Sequence, residues 1–184
     1  MDIKSLTIYC SSSDNLDKKY YDLSVQIGEF LGKNNIKIIY GGGSIGMMGY
    51  ISKSSMKVGG KVIGIIPEFL DKKEIINNEI TETIFVKNMS ERKEKLFELG
   101  DSFLILPGGS GTIEEATEVI SWKFLGIHKK NIIIFNFDNY WSPLMNMYKK
   151  AEEKNFGNKF KNTNLQSICD NINSFEEFVS LFSQ

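Results

Sequence analysis

Histidine, arginine and cysteine are nearly missing from this chain. His128 is the only histidine, Arg92 is the only arginine among 22 lysine plus arginine residues, and the two cysteines are Cys10 and Cys169. The cysteines form no CxxC pair and have no histidine cluster beside them, which argues against a disulfide framework and against a structural zinc. No apolar run reaches the length of a membrane span, and Met1-Asp2-Ile3-Lys4 leads into a strand-like stretch without a signal-peptide core. Charge of one sign is missing too. The formal net charge is −1, and Lys72-Lys73 and Lys129-Lys130 read as ordinary solvated pairs, so neither nucleic acid nor a membrane has an electrostatic claim. A cytoplasmic protein is expected.

Two familiar nucleotide signatures are also lacking. No Gly-Lys-Ser/Thr follows any glycine turn, which argues against ATP-driven P-loop chemistry. The first strand runs into Ser11-Ser12-Ser13 rather than a dinucleotide fingerprint, which argues against NAD. The chain is short for a pyridoxal phosphate enzyme and shows no Schiff-base lysine context. No metal and no organic cofactor is expected.

What remains is a pattern of short apolar strands alternating with amphipathic helices, without internal repeat or linker. Strands are expected at 6–10, 36–40, 61–66, 83–86, 102–106 and 131–135. Two of them, Ile36-Lys37-Ile38-Ile39-Tyr40 and Asn131-Ile132-Ile133-Ile134-Phe135, are β-branched runs of the kind buried on both faces of a parallel sheet. The first helix places Tyr20, Leu23, Ile27, Phe30 and Leu31 at helical spacing and stops at Asn34-Asn35. Others are expected at 46–58, 90–99, 112–125, 142–153 and near 175–182, with 68–82 as a polar connection. This alternation predicts an α/β fold, a doubly wound parallel sheet flanked by helices, as a single domain over residues 1–184.

In such a sheet, ligands bind beyond the carboxyl ends of the strands. Three small-residue turns fall there: Ser11-Ser12-Ser13, the stretch from Gly41-Gly42-Gly43 to Gly49, and Pro107-Gly108-Gly109-Ser110-Gly111-Thr112. The last opens a helix with Ile113, Glu114 and Glu115 in its first turns. Glycines let backbone N–H groups approach a ligand, and a helix N-terminus favours a phosphate. Glu115 would then stand beside the bound phosphate, placed for chemistry on the sugar it carries. Thr112-x-x-Glu115 also spells a capping box, and the two roles are compatible. Arg92 lies one strand before this turn. A single guanidinium among so many lysines points to a site that needs a flat donor fork. Ser90 reads as a helix N-cap, with Glu91 able to pair with Lys95. His128 falls at the opposite end of the sheet and reads as structural or solvated. Met47, Met48 and Met89 read as packing or base-stacking surface. Trp122 and Phe124 read as core or an oligomer face.

Pro107-Gly108-Gly109-Ser110-Gly111-Thr112-Ile113-Glu114-Glu115 fits a Pro-Gly-Gly-x-Gly-Thr-x-x-Glu signature. With Arg92-Lys93 and the Gly41–Gly49 turn, the chain resembles the Lonely Guy family, cytokinin-activating phosphoribohydrolases once labelled lysine decarboxylases. The resemblance implies a Rossmann-like homodimer. Its substrate would be a nucleoside 5′-monophosphate, either AMP or an N6-substituted cytokinin relative, whose N-glycosidic bond is hydrolysed to free base and ribose 5-phosphate. It assigns the catalytic pair to Arg92 and Glu115. Substrate contacts fall to Glu74, Lys93, Gly108, Gly109, Ser110, Gly111, Thr112, Ile113, Glu114 and Ser121, with Ser11, Gly42 and Gly43 from the other two turns. The chain departs from the family pattern at Ser90 (often His), Ser110 (often aromatic), Ser121 (Thr) and Ser11 (Gly), which bears on the pocket around the base. A nucleotide-binding sensor or carrier using the same cleft without turnover is the alternative.

Overall fold

The computed structural model describes residues 3–70, 76–156 and 164–183. Seven strands lie in one sheet: β1 (Ser5–Tyr9), β2 (Lys37–Tyr40), β3 (Val62–Pro67), β4 (Glu82–Val86), β5 (Ser102–Ile105), β6 (Asn131–Phe135) and β7 (Asp170–Ile172). Their order is β4-β3-β2-β1-β5-β6-β7, and every adjacent pair is parallel. The helices are α1 (Lys18–Lys33), α2 (Gly46–Lys57), α3 (Met89–Leu99), α4 (Ser110–Phe124), α5 (Ser142–Glu153), α6 (Leu165–Ile168) and α7 (Phe175–Ser180).

Two buried clusters show why the sequence forms layers. Leu23, Ile27, Leu31, Met47, Ile51 and Phe178 from α1, α2 and α7 pack on one face of the sheet. Leu96, Ala116, Val119, Ile120, Trp141 and Leu165, from α3, α4 and the chain around α5 and α6, pack on the other. The central strands carry apolar residues on both faces because both faces are covered. Chain order reverses at β1, which pairs with β2 on one side and β5 on the other. That reversal opens a crevice above β1 and β5.

The expected strands and helices form with end shifts of one or two residues. β7 and α6 were not expected, being three and four residues long with little apolar pattern. The start of α3 differs. Asn88, not Ser90, is the N-cap and accepts from Glu91 N–H at 2.9 Å, while Glu91 Oε2 accepts from Lys87 N–H at 2.8 Å. Lys95 accordingly pairs with Glu98 rather than with Glu91.

Lys130 is not a solvated lysine either. Its ammonium donates to the carbonyls of Phe97 and Gly100 at the end of α3, and lies 4.4 Å above the Phe97 ring. It supplies the donors that the last helical carbonyls lack. Lys130→Met should lower stability by about 1–2 kcal/mol, read as a lower urea midpoint with an unchanged slope. Lys72 and Lys73 lie outside the described residues. Among the described residues no helix is long and apolar enough to cross a membrane.

Candidate active site

The loops after β1, β2 and β5 meet at the crevice. Ser11 joins them: its N–H donates to Pro107 O at 3.1 Å, and its carbonyl accepts from Met48 N–H at 3.3 Å. Asp14 Oδ1 accepts from Gly46 N–H at 2.9 Å and ties the first loop to the start of α2. Gly42 and Gly43 carry the connection that leads to β4. Gly42 O accepts from Asn77 N–H at 3.1 Å, and Gly43 forms an isolated bridge with Ile76. Gly42 has φ +83° and its back lies against Ile66, so a side chain fits neither the backbone nor the space. Glu74 lies outside the described residues.

The helix α4 begins earlier than the sequence suggested. Gly109 is its N-cap, Ser110 its first residue, and no side chain caps it. The capping box does not form: Thr112 sits inside the first turn, buried against Gly108, where an added Cβ would overlap its hydroxyl. The first backbone bond runs from Ile113 N–H to Gly109 O at 3.0 Å. The amides of Ser110, Gly111 and Thr112 therefore have no partner within the helix. A Cβ on Gly109 or Gly111 would meet nothing within 4 Å, so no neighbour in the described residues forces glycine there. The opening lies where a bound anion would sit, on the positive end of the helix.

Gly108 is held from the far side by Tyr140, whose hydroxyl donates to its carbonyl at 2.7 Å. Asp138 and Asn139, both left-handed with φ of 56° and 58°, turn the chain that presents Tyr140. Sequence reasoning missed Tyr140, which carries no local motif. A cleft of about 440 Å³ lies between Ser11, Asn15, Met47, Pro107, Gly109 and Tyr140. Its lining stops short of Arg92 and Glu115, which sit on the α3–α4 side of the β1 end.

Glu115 follows further along α4 and turns down toward the end of β1. Its side chain and that of Arg92 are each 10% exposed, with Arg92 Nη1 3.4 Å from Glu115 Oε1. Arg92 Nε donates to Ile65 O at 3.2 Å, which pins the guanidinium to the end of β3. Gly41 makes room for it: an added Cβ there would overlap Arg92 Nη2. The guanidinium thus spans a strand carbonyl and a carboxylate at once, a task that suits a planar fork and not an ammonium. The glycine at position 41 was visible in the sequence, but its purpose was not.

Burial pushes the Glu115 carboxyl up from its ordinary 4.5 to about 7; Arg92 opposes this, Glu114 adds to it, Lys93 opposes it and Glu118 adds to it. Tyr9, below Glu115, has its phenol pushed well up by burial and then by Glu115. Cys10 is raised by the same two causes. The shift at Glu115 has a sign that can be measured. A carboxyl whose folded value lies above its unfolded one stabilises the fold when protonated. That contribution is full below about 4.5 and is lost as pH rises through about 7. Glu115→Gln abolishes it. The variant should therefore gain about 2 kcal/mol relative to the parent between about pH 5 and about pH 8, read from paired urea melts.

The remaining expected residues are scattered. Lys93 lies between two carboxylates, with Nζ 2.6 Å from Glu114 Oε1 and 2.8 Å from Glu118 Oε1. Ile113 is 41% exposed on the first turn of α4. Ser121 is exposed on α4, six residues past Glu115, about 9 Å along the axis, and is not brought beside it. His128 Nε2 lies 2.8 Å from Val119 O and its ring packs on Phe97 and Phe103, away from the crevice. Among the described residues no three His, Cys, Asp or Glu side chains converge to hold a metal ion.

A family model described as "possible lysine decarboxylase" matches residues 48–178. A probable cytokinin riboside 5′-monophosphate phosphoribohydrolase of Oryza sativa subsp. japonica is 40% identical over 83% of this chain and 63% of its own length. The chain thus spans less than two thirds of that relative. A cytokinin riboside 5′-monophosphate phosphoribohydrolase of Arabidopsis thaliana is 37% identical over 95% of this chain and 79% of its own length. Among solved structures, the molybdenum cofactor binding protein of Rippkaea orientalis superposes with a TM-score of 0.70 at 16% identity, covering 100% of this chain and 97% of its own. The molybdenum cofactor carrier protein of Chlamydomonas reinhardtii gives 0.69 at 11% identity, covering 98% and 96%. At such low identity these two establish the fold alone. The relatives and the family match together establish that the chain belongs to the Lonely Guy family.

Proposed function

We propose that this chain hydrolyses the N-glycosidic bond of a nucleoside 5′-monophosphate, releasing the free base and ribose 5-phosphate. The observation that carries the reading is the buried Arg92–Glu115 pair set behind an uncapped, glycine-lined helix start. The related plant proteins are named for this reaction on cytokinin riboside 5′-monophosphates.

The chemistry follows from the charges. The 5′-phosphate rests on the amides of Ser110, Gly111 and Thr112, which fixes the ribose. As the bond from C1′ to the base nitrogen breaks, C1′ becomes positive. The Glu115 carboxylate stabilises that charge and orients the water that adds to C1′. The electron pair leaves with the base, which takes up one proton from solvent, while the water that bonds to C1′ gives up one proton to the Glu115 carboxylate and thence to solvent, so the protons balance. Arg92 keeps Glu115 in place and favours its ionised form. With Glu115 titrating at about 7, kcat/KM should rise with pH through that value.

Gly41→Ala provides a test away from the substrate. Pushing the guanidinium off Ile65 O should cost turnover about tenfold or more while the fold persists, read by steady-state kinetics beside a circular dichroism melt. Preference for the base is open to the same assay. The family resemblance puts an aromatic where this chain has the small Ser110, and AMP should be cleaved at least as well as isopentenyladenosine monophosphate. Adenosine, lacking the phosphate, should be cleaved poorly. Efficient cleavage of adenosine contradicts the phosphate role given to α4. A cytoplasmic homodimer belongs to the same reading, and sedimentation equilibrium tests the assembly.

A further inference from the structure

The chain between Pro107 and Ser110 has little that fixes it. Neither Gly108 nor Gly109 carries a Cβ to oppose rotation of the peptide between them. Space around Gly109 is open, since an added Cβ there would meet nothing within 4 Å. Among the described residues no backbone N–H reaches the Gly108 carbonyl. The Tyr140 hydroxyl does, donating to it at 2.7 Å from the wall of the cleft that Tyr140, Ser11 and Gly109 line. A trans peptide sets its C=O and N–H on opposite sides. Holding the Gly108 carbonyl toward Tyr140 therefore turns the Gly109 N–H away from Tyr140 and fixes the plane from which α4 begins.

Such a tether acts only if its own base is firm, and Tyr140 is held from two sides. Asn136, 5% exposed just past β6, accepts from Trp141 N–H at 2.7 Å through Oδ1 and donates to Ser142 Oγ at 3.2 Å through Nδ2. Asp138 pairs with Lys19 of α1. Asp138 and Asn139 are residue types that tolerate the left-handed turn they form. The Tyr140 ring stands perpendicular to that of Trp141, with centroids 5.0 Å apart.

Resting on the hydrolase reading above, we propose that Tyr140 is a positioning residue for the phosphate of the substrate. Its hydroxyl holds the Gly108–Gly109 peptide in one orientation, so that the amides opening α4 are arranged before the phosphate arrives. The bond exists in the free protein, and its contribution is preorganisation. Without it the peptide between two glycines rotates, and a ligand must bind the fraction of molecules that remains correctly turned. Apparent affinity falls by that fraction. Once bound, the phosphate itself holds the peptide, while Arg92 and Glu115 on the far side of the β1 end are unaltered. KM and kcat therefore separate.

Tyr140→Phe tests this, because it deletes the hydroxyl and keeps the ring against Trp141. The readouts are isothermal titration with ribose 5-phosphate, kinetics with AMP and with adenosine, and nitrogen-15 relaxation dispersion on glycine-labelled free protein. Gly109→Ala assigns the Gly109 amide, and a urea melt checks the fold. The Kd for ribose 5-phosphate and the KM for AMP should each rise about threefold or more. Both kcat with AMP and kcat/KM for adenosine should stay within about twofold. The Gly109 amide should gain microsecond-to-millisecond exchange in the free variant, and ribose 5-phosphate should suppress it. Unchanged affinities overturn the proposal, as does a parent that binds no ribose 5-phosphate. An affinity loss with Gly109 as quiet as in the parent overturns it too, and makes the Tyr140 hydroxyl a phosphate ligand. An equal loss with adenosine overturns it in favour of a general loosening of the cleft. If the parent releases no base from AMP, the hydrolase reading fails, while the titration and the relaxation data still decide the role of Tyr140.

Discussion

Glu115→Gln is expected to bind AMP within a few-fold of the parent and to lose turnover by about 10³-fold or more. The substitution keeps the shape of the side chain and removes its charge. Binding should survive because the phosphate contacts proposed here lie earlier in α4, at amides that position 115 does not supply. Glu115 caps nothing, since the helix opens at Gly109, so a general loosening of the helix start is not expected. Turnover fails because the positive charge at C1′ meets a neutral amide. Isothermal titration with AMP beside a product assay separates the two effects. Equal loss of both would mean that Glu115 chiefly holds the architecture.

Arg92→Lys carries the second large expectation. Elsewhere on this chain lysine serves as the cation throughout, and the exchange would be mild. At position 92 the guanidinium bonds Ile65 O through Nε and faces Glu115 through Nη1, with its edge against Gly41. One ammonium cannot occupy both places. The Glu115 carboxylate then loses the group that chiefly opposes its burial, and its titration climbs further. Turnover near pH 7 should fall about 10²-fold, with part of the loss recovered at higher pH as Glu115 ionises. Breaking a buried pair also destabilises, so the melt should shift down as well. Near-normal kinetics for Arg92→Lys would remove the argument built on the lone arginine.

Legibility in the sequence followed burial and length. β6 is read to the residue because Asn131-Ile132-Ile133-Ile134-Phe135 is covered on both faces. β7 escapes notice because, of Asp170, Asn171 and Ile172, only Ile172 is buried. Helix starts were harder. Asn88 and Ser90 are both good caps, and only the backbone, extended at Asn88, selects between them. At α4 the cap is a glycine with no side chain to betray it, and Thr112 is the nearest residue of a type that caps helices. The arginine and the glutamate were singled out by type and by motif. Their pairing is what the family resemblance implies, but the supports of the guanidinium are not legible, because Gly41 and Ile65 are distant in sequence and contribute only a gap and a carbonyl. Tyr140 was hidden for the same reason: its hydroxyl meets a backbone atom of Gly108.

On the hydrolase reading, the buried Glu115 carboxylate behind the open start of α4 cleaves a nucleotide whose phosphate rests on that helix. The most direct test is incubation of the purified protein with AMP, following adenine and ribose 5-phosphate by chromatography, with Glu115→Gln in parallel. Equal amounts of the two products from the parent, and none above background from the variant, is the expected result. Tight binding of AMP by both proteins with no base released by either would contradict the hydrolase and leave a nucleotide-binding protein in its place.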